Sequence, residues 1–218
     1  MPRGIRTITI LLLALGLARA GSAACDVRLN EICPAPAHDW DGSGVFSARD
    51  DEWIERGVDE LDPLVNTALV PEDLSQYYVT DSDSTVRWAG TGLLNPGEHH
   101  VIFGTDAVNW QRDHGRTIAG LSLANAGDAV RLWHAVGSDT MLVESYGYKP
   151  HEAGSDRSIG RLPDTTGETW SLFDALSPYT GTLDPRGNGC PPSPGALNQC
   201  DKTPAEPFTW GRIKAQYR

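Results

Sequence analysis

A short acidic stretch contains the side chains best suited to binding a metal ion. Residues 39–50 read DWDGSGVFSARD, with oxygen-bearing side chains at positions one, three, five, nine and twelve and glycine at position six. A calcium loop wraps its cation with this spacing. The predicted ligands are the side chains of Asp39, Asp41, Ser43, Ser47 and Asp50 and the backbone carbonyl of Val45, with Asp51 or Glu52 as a further carboxylate.

The same stretch can also be interpreted as a solvated acidic turn before a strand. Asp50 reaches less far than the glutamate that usually closes a calcium loop, and Ser43 is neutral. In favour of a metal, closely packed carboxylates repel one another unless a cation is present. With calcium bound, Gly44 would allow the sharp turn and Phe46 would anchor the loop to the core. Such an ion would be structural, because a fully wrapped calcium leaves no open position for a substrate.

Patterns typical of catalysis are sparse in this chain. It has no Gly-x-Ser-x-Gly elbow, phosphate-binding Gly-rich loop, Cys-x-x-Cys pair or His-Glu-x-x-His motif. His99 and His100 are neighbours in a predicted strand, so they should point to opposite faces of a sheet. His114, beside Asp113 in a predicted loop, is the candidate general base. A small secreted metal-dependent hydrolase using the acidic loop and His114 is therefore the alternative function.

The elements that must position these residues are short strands separated by turns, with almost no helical periodicity. Strands recurring at such intervals predict an all-β sandwich, in which two facing sheets bury their apolar sides. The predicted strands are residues 27–32, 52–55, 76–80, 86–89, 99–103, 129–135, 142–148, 158–162 and 170–173.

Four cysteines predict disulfides in an exported protein. An extended strand between Cys25 and Cys33 would hold their Cα atoms roughly 26 Å apart, too far for a disulfide. The favoured pairing therefore joins Cys25 and Cys33 to Cys190 and Cys200, in one order or the other. A local Cys190–Cys200 bond, with Cys25 and Cys33 left over, is the alternative.

The beginning of the chain has the pattern of a secretory signal peptide. Arg3 and Arg6 precede an apolar run at residues 8–17, and small residues allow cleavage after Ala20 or Ala24. This run is shorter than the about 20 residues that span a bilayer, and no later run approaches that length. Cys25 is a candidate for lipid attachment, but Ser22 stands where a lipoprotein signal places leucine, which favours a disulfide cysteine.

The charge balance argues against nucleic acid as a partner. The formal net charge of the chain is −11, and removal of residues 1–24 with their three arginines makes it about −14. No basic patch compensates for this acidity.

The domain organisation is then a signal peptide at 1–24, one domain at 25–200, and a tail at 201–218 in which Trp210, Ile213 and Tyr217 would share one helical face. The tail is either a short amphipathic helix or disordered.

Seven stretches carry a resemblance to a known family. They include VRLNEI, DEWIE, LSQYYVTD, SIGRLPD and SPGALN, and their order along the chain is that of the lamin-tail domain family. The chain resembles this family over most of residues 27–198. It departs from the family pattern at residues 56–63, where the second strand would bulge or end early, and between Leu176 and Ser193, where an insertion carries Cys190. The seven stretches are residues 27–32, 51–55, 74–81, 121–130, 143–147, 158–164 and 193–198.

The resemblance implies an immunoglobulin-like β-sandwich with loop insertions, found in modules that bind, tether or build surfaces. The expected function is a non-catalytic exported module acting in adhesion, tethering or envelope structure, stabilised by calcium. Its partner would be a protein or cell-surface component. Because one fold hosts many functions, this expectation rests on analogy.

Overall fold

Short alternating runs of apolar and polar residues form the strands of this protein. A computed structural model describes residues 27–58 and 71–200. Within these ranges the elements are β1 (Val27–Cys33), β2 (Trp53–Val58), β3 (Glu72–Asp73), a 3-10 turn (Leu74–Gln76), β4 (Tyr77–Thr80), β5 (Val86–Ala89), β6 (Leu93–Leu94), β7 (His99–Phe103), α1 (Gly104–Asp113), β8 (Asp128–Val136), β9 (Asp139–Tyr148), β10 (Ser158–Arg161) and β11 (Trp170–Phe173). The predicted signal peptide, Cys25, residues 59–70 and the tail lie outside the described residues.

The strands form three antiparallel sheets, so the predicted all-β sandwich is confirmed. The first sheet has the order β11-β10-β1-β2-β7, the second has the order β5-β4-β8-β9, and β3 pairs with β6. Apolar residues of the first sheet, such as Ile32 and Ile54, belong to the same buried cluster as Val79 and Leu132 of the second. Burial of these faces against each other provides the main apolar stabilisation.

The helix α1 was not predicted, and His114 ends it instead of lying in a loop. The Asp106 carboxylate accepts a hydrogen bond from the Phe103 N–H at 2.9 Å, which caps the first turn. The side chain of Gln111 is buried and bonds the backbone of Arg87, Ala119 and Gly120. The helix is therefore held by tertiary contacts, which explains why local periodicity did not reveal it.

The second strand differs from the sequence expectation. β2 continues through Arg56 to Val58 and does not end at Glu55. The irregularity lies in β1, where the pairing with β2 shifts between Leu29 and Glu31. Arg56 faces the interior, with its guanidinium 4.5 Å from the ring centre of Trp88, and burial lowers its pKa to about 9.

The disulfide in the described part of the chain joins Cys190 to Cys200. Cys33 is a free, fully buried thiol at the end of β1. The favoured pairing of Cys33 with Cys190 or Cys200 was therefore wrong, and the local alternative is correct. The reason is that residues 190–200 form their own compact turn, which brings the Cα atoms of Cys190 and Cys200 within 5.5 Å of each other.

Among residues 27–58 and 71–200, no helix is both long and apolar enough to cross a membrane.

Thiol labelling checks this pairing. We expect Cys33 to resist alkylation in the native protein, because burial raises the pKa of its thiol and excludes the reagent. It should react in denaturant without reductant. The double variant Cys190→Ser/Cys200→Ser should lose about 2–3 kcal/mol of unfolding free energy, since the bond closes a short loop. Peptide mapping that finds Cys33 in a disulfide would contradict the assignment.

Candidate functional site

The acidic loop brings three carboxylates together before β2. Asp39, Asp41 and Asp51 each offer an oxygen atom, and these atoms lie within 4.8 Å of one another. Asp51 is fully buried, Asp41 is half-buried and Asp39 is exposed. The cluster therefore opens to solvent on one side and is fixed to the domain on the other, which suits a hard cation with oxygen ligands.

Backbone hydrogen bonds hold the loop in this shape. The Asp51 carboxylate accepts from the N–H groups of Trp40, Asp41 and Ser47 at 2.7, 3.0 and 2.8 Å. The Gly44 N–H donates to Asp39 at 2.7 Å. Gly44 has a φ of +87°, a conformation that favours glycine, as the sequence predicted.

The start of α1 also contacts the loop. The Thr105 hydroxyl donates to Asp41 Oδ2 at 2.6 Å, and this bond lowers the pKa of Asp41. The Thr105 N–H donates to the carbonyl of Asp50 at 3.0 Å. The helix thus fixes the position of one carboxylate of the cluster.

The structure places other predicted ligands differently. Asp50 forms a bidentate ion pair with Arg49, which lowers the pKa of Asp50. The Asp50 carboxylate also accepts a hydrogen bond from the Ser47 hydroxyl. Asp51, named from sequence as a further carboxylate, completes the cluster in its place. The Ser43 hydroxyl donates to the Val45 carbonyl at 3.2 Å, so two more predicted ligand groups bind each other.

Glu52 and Phe46 point in unexpected directions. Glu52 turns inward, where it accepts from the Leu123 N–H at 3.2 Å and burial raises its pKa to about 8. Phe46 is 49 % exposed, so the prediction that it anchors the loop to the core was wrong. Asp51 performs that anchoring through the backbone, because a buried carboxylate requires hydrogen-bond donors.

His114 lies at the far end of the helix from this cluster. It stands nine positions after Thr105, which corresponds to about 13 Å along a helix axis. Its ring stacks on Trp110 at 4.7 Å, and its Nδ1 is 2.8 Å from the Trp110 carbonyl. The geometry does not bring His114 to the carboxylates with which the hydrolase alternative would pair it.

A second polar cluster, which sequence reasoning missed, covers the outer face of the first sheet. We call it the clasp, and it consists of Asn30, Glu31, Glu55, His99, Asp164, Ser193 and Asn198. The β1 irregularity creates it: Asn30 and Glu31 both lie opposite Glu55, so both project from the face away from the core. His99 joins them from β7, while His100 contacts Trp88 on the core side, as predicted for adjacent strand residues.

Glu31 is a fully buried acid of the clasp. Its carboxyl contacts the hydroxyl of Ser158 and accepts from the N–H of Ser193 at 3.2 and 3.3 Å. The Ser193 hydroxyl lies 3.0 Å from Glu31 Oε2 and 2.8 Å from Asn198 Oδ1. Burial raises the pKa of Glu31 to about 8. A protonated Glu31 can donate to Ser193, which can then donate to Asn198.

Glu55, His99 and Asp164 form the other half of the clasp. Asn30 Nδ2 donates to Glu55 at 2.7 Å and to Asp164 at 2.9 Å, and His99 Nε2 lies 2.8 Å from Asp164 Oδ2. This contact raises the pKa of His99, whereas burial raises the pKa of Glu55 to about 7. The three ionisable side chains are close enough to hold a cation, but hydrogen bonds within the clasp already account for their proximity.

Residues 193–198 cover the clasp and donate hydrogen bonds to its acids. The Gly195 N–H donates to Glu55, and the Asn198 N–H donates to Asp164 at 2.7 Å. Asn198 also bonds the carbonyls of Asn30 and Arg161 across two strands. Gly160 makes this approach possible, because a Cβ there would lie 2.7 Å from Asn198 Nδ2. The sequence signal was present: the stretches at 27–32, 51–55, 158–164 and 193–198 contain almost all of these residues.

Comparison with known proteins adds no identification. The chain matches no family model, no curated protein and no solved structure.

The clasp predicts how stability depends on pH. The folded-state pKa of Glu31 exceeds its usual 4.5, so its contribution is fully present below about pH 4.5 and is lost as the pH rises through about 8. Between pH 6 and pH 9 this group alone should lower the unfolding free energy by about 2–3 kcal/mol. Glu31→Gln, which keeps a donor toward Ser193, should flatten this decline in denaturant titrations.

Glu168→Gln is the matched control, because the Glu168 side chain is 87 % exposed. It should leave the pH profile of the parent unchanged. A Glu31→Gln profile that superimposes on that of the parent would show that Glu31 is not the titrating group.

Proposed function

We propose that this protein is a non-catalytic exported module of the lamin-tail type, an immunoglobulin-like sandwich that acts in adhesion, tethering or envelope structure. The observation that carries this proposal is the clasp. Four separate stretches that resemble the family supply all of its residues except His99, and these residues contact one another in the fold. These stretches match a family pattern, and they also lie in contact with one another. Together the two observations support a shared structural role better than isolated matches would.

The hydrogen bonds of the clasp acids support a structural role. Glu31, Glu55 and Asp164 each accept hydrogen bonds from backbone or side-chain groups that also hold residues 193–198 in place. A catalytic acid or base must reach a substrate proton. These carboxyl groups instead join β1, β2 and the 193–198 segment.

Export is the second part of the proposal. It rests on the signal-peptide pattern at residues 1–24 and on the Cys190–Cys200 bond, since disulfides persist in oxidising compartments. The protein is secreted or associated with the cell envelope, with a protein or another surface component as its partner. Lipid attachment at Cys25 is the less favoured mode of retention.

Calcium is the third part of the proposal, with Asp39, Asp41 and Asp51 as its carboxylate ligands. Three carboxylates within 4.8 Å repel one another, and a divalent cation would remove that repulsion. The ion would hold the loop against both β2 and α1, because Asp51 precedes β2 and Thr105 of α1 bonds Asp41. Its role is to stabilise the fold.

A thermal melt tests the calcium site. Sites in extracellular modules have dissociation constants of about 0.1–1 mM. Calcium at 10 mM should then add about 1.4–2.7 kcal/mol and raise the melting temperature by roughly 3–10 °C. Asp39→Asn should abolish this gain, because it removes one of the three charges.

Asp50→Asn provides the control, because Asp50 pairs with Arg49 and lies outside the cluster. It should retain the calcium shift of the parent. Equal loss of the shift in both variants, or no shift in the parent, would remove calcium from the proposal.

Expression of the full chain tests export. We expect intact mass to show a mature N-terminus at Gly21 or Cys25, because small residues precede both positions. Cell fractionation should recover the protein outside the cytoplasm, and cross-linking on intact cells should place it beside a surface component. Recovery of the unprocessed chain in the cytoplasm would refute the exported role.

A further inference from the structure

A disulfide closes the segment that covers the clasp. Cys190 and Cys200 stand ten positions apart and are bonded to each other, and residues 193–198 lie between them. We call residues 190–200 the strap. The side chain of Asn198 donates to one carbonyl in β1 and one in β10. The strap therefore lies across the outer face of the first sheet as one covalent loop.

Each acid of the clasp takes a hydrogen bond from the strap. Three backbone N–H groups of the strap donate to three different carboxyl groups. Two of these acids, Glu31 and Glu55, are fully buried. Displacement of the strap would remove these donors and open both glutamates to water. The three pairs are Ser193 with Glu31, Gly195 with Glu55 and Asn198 with Asp164.

Apolar burial contributes little to the position of the strap. Leu197 is 52 % exposed, and Pro191 and Ala196 are exposed as well, whereas Pro192 is buried. Residues 190–200 include no helix or strand. Ordering such a segment costs conformational entropy, and each hydrogen bond returns only a modest net gain. The disulfide reduces this cost, because it restricts the chain before the strap is ordered.

The covered acids oppose closure of the strap. Burial raises the pKa of Glu31 to about 8 and the pKa of Glu55 to about 7, and the charge of Glu55 raises the pKa of Glu31 further. Water would relieve both effects, because a hydrated carboxyl group ionises near its ordinary pKa. Hydration of the glutamates therefore favours an open strap, and the covalent loop favours a closed one.

The thiols of the strap can form their bond by exchange with another disulfide. Cys33 is fully buried, and Cys200 is more exposed than Cys190. The Cys200 thiolate attacks a disulfide of the oxidant and displaces one of its sulfurs as a thiol. The Cys190 thiolate then attacks the Cys200 sulfur and releases the second thiol. Two electrons and two protons pass from the strap to the oxidant.

We propose that oxidation of Cys190 and Cys200 closes the strap over the clasp, and that the strap of the reduced protein opens and leaves Glu31 and Glu55 in contact with water. The oxidant is a molecule that carries a disulfide. This inference rests on the proposed export, because cytoplasmic thiols stay reduced and disulfides form in oxidising compartments. The clasp is then completed after the protein leaves the cytoplasm.

Carboxyl labelling of the mature chain tests the strap. A carbodiimide couples a glycine ester to accessible carboxyl groups, and peptide mass spectrometry locates the labelled residues. We expect Glu31 and Glu55 to resist labelling in the oxidised protein. Reduction with dithiothreitol should speed their labelling by about tenfold or more, because covered groups react only after local opening. Reoxidation with oxidised glutathione should restore the resistance.

Two other glutamates are internal controls. The Glu168 side chain is 87 % exposed, so it should label equally in both redox states. Glu52 is buried outside the clasp, so it should resist labelling in both states. Among variants, Cys190→Ser/Cys200→Ser should label like the reduced parent. Cys33→Ala is the matched control and should keep the redox response, because it leaves the strap cysteines in place.

Two results would overturn the proposal. One is labelling of Glu31 and Glu55 at the same rate with and without the disulfide. The other is labelling of Glu52 together with Glu31 on reduction, since that would show unfolding of the whole domain. If an exported chain gives either result, the inference about the strap fails and the proposed function stands. An unprocessed cytoplasmic chain refutes the exported role, and with it closure of the strap after export.

Discussion

Burial of Glu31 and Glu55 on the outer face of the first sheet is the constraint on which the surrounding structure depends. A carboxyl group removed from water destabilises the fold unless donors surround it or a proton neutralises it. Both hydrogen-bond donors and raised pKa values are found at these two glutamates. Ser193 and Gly195 supply donors, and burial raises the pKa of each glutamate toward or above neutrality. The irregular segment 193–198 is therefore ordered by the acids beneath it.

A buried carboxylate also orders the acidic loop, in another part of the domain. Asp51 is buried, and its carboxylate accepts hydrogen bonds from three backbone N–H groups. These bonds order the chain between β1 and β2. Thr105 joins this loop to α1. In both clusters the acids organise segments that have no regular secondary structure. This common use supports our proposal that the carboxylates stabilise the fold and do not take part in a reaction.

Local patterns predicted much of the fold. The β5, β7 and β11 strands have the expected bounds, and β1, β8, β9 and β10 differ from prediction by a few residues at most. Strand periodicity was sufficient because half of each pattern faces a shared core. The helix α1 was missed because Gln111 and other tertiary contacts stabilise it. The pairing of Cys190 with Cys200 also depended on a compact turn that composition does not reveal.

The sequence alone determined the sandwich class, the acidic loop with its glycine at position 44, and the stretches that contain most residues of the clasp. It did so because strand alternation and turn chemistry are local properties. The tertiary structure alone decided which acids meet. One extra residue in β1 places Asn30 and Glu31 on the same face, although simple alternation would separate them. Likewise Asp51, not Asp50, joins Asp39 and Asp41, because burial orients Asp51 inward whereas Arg49 engages Asp50.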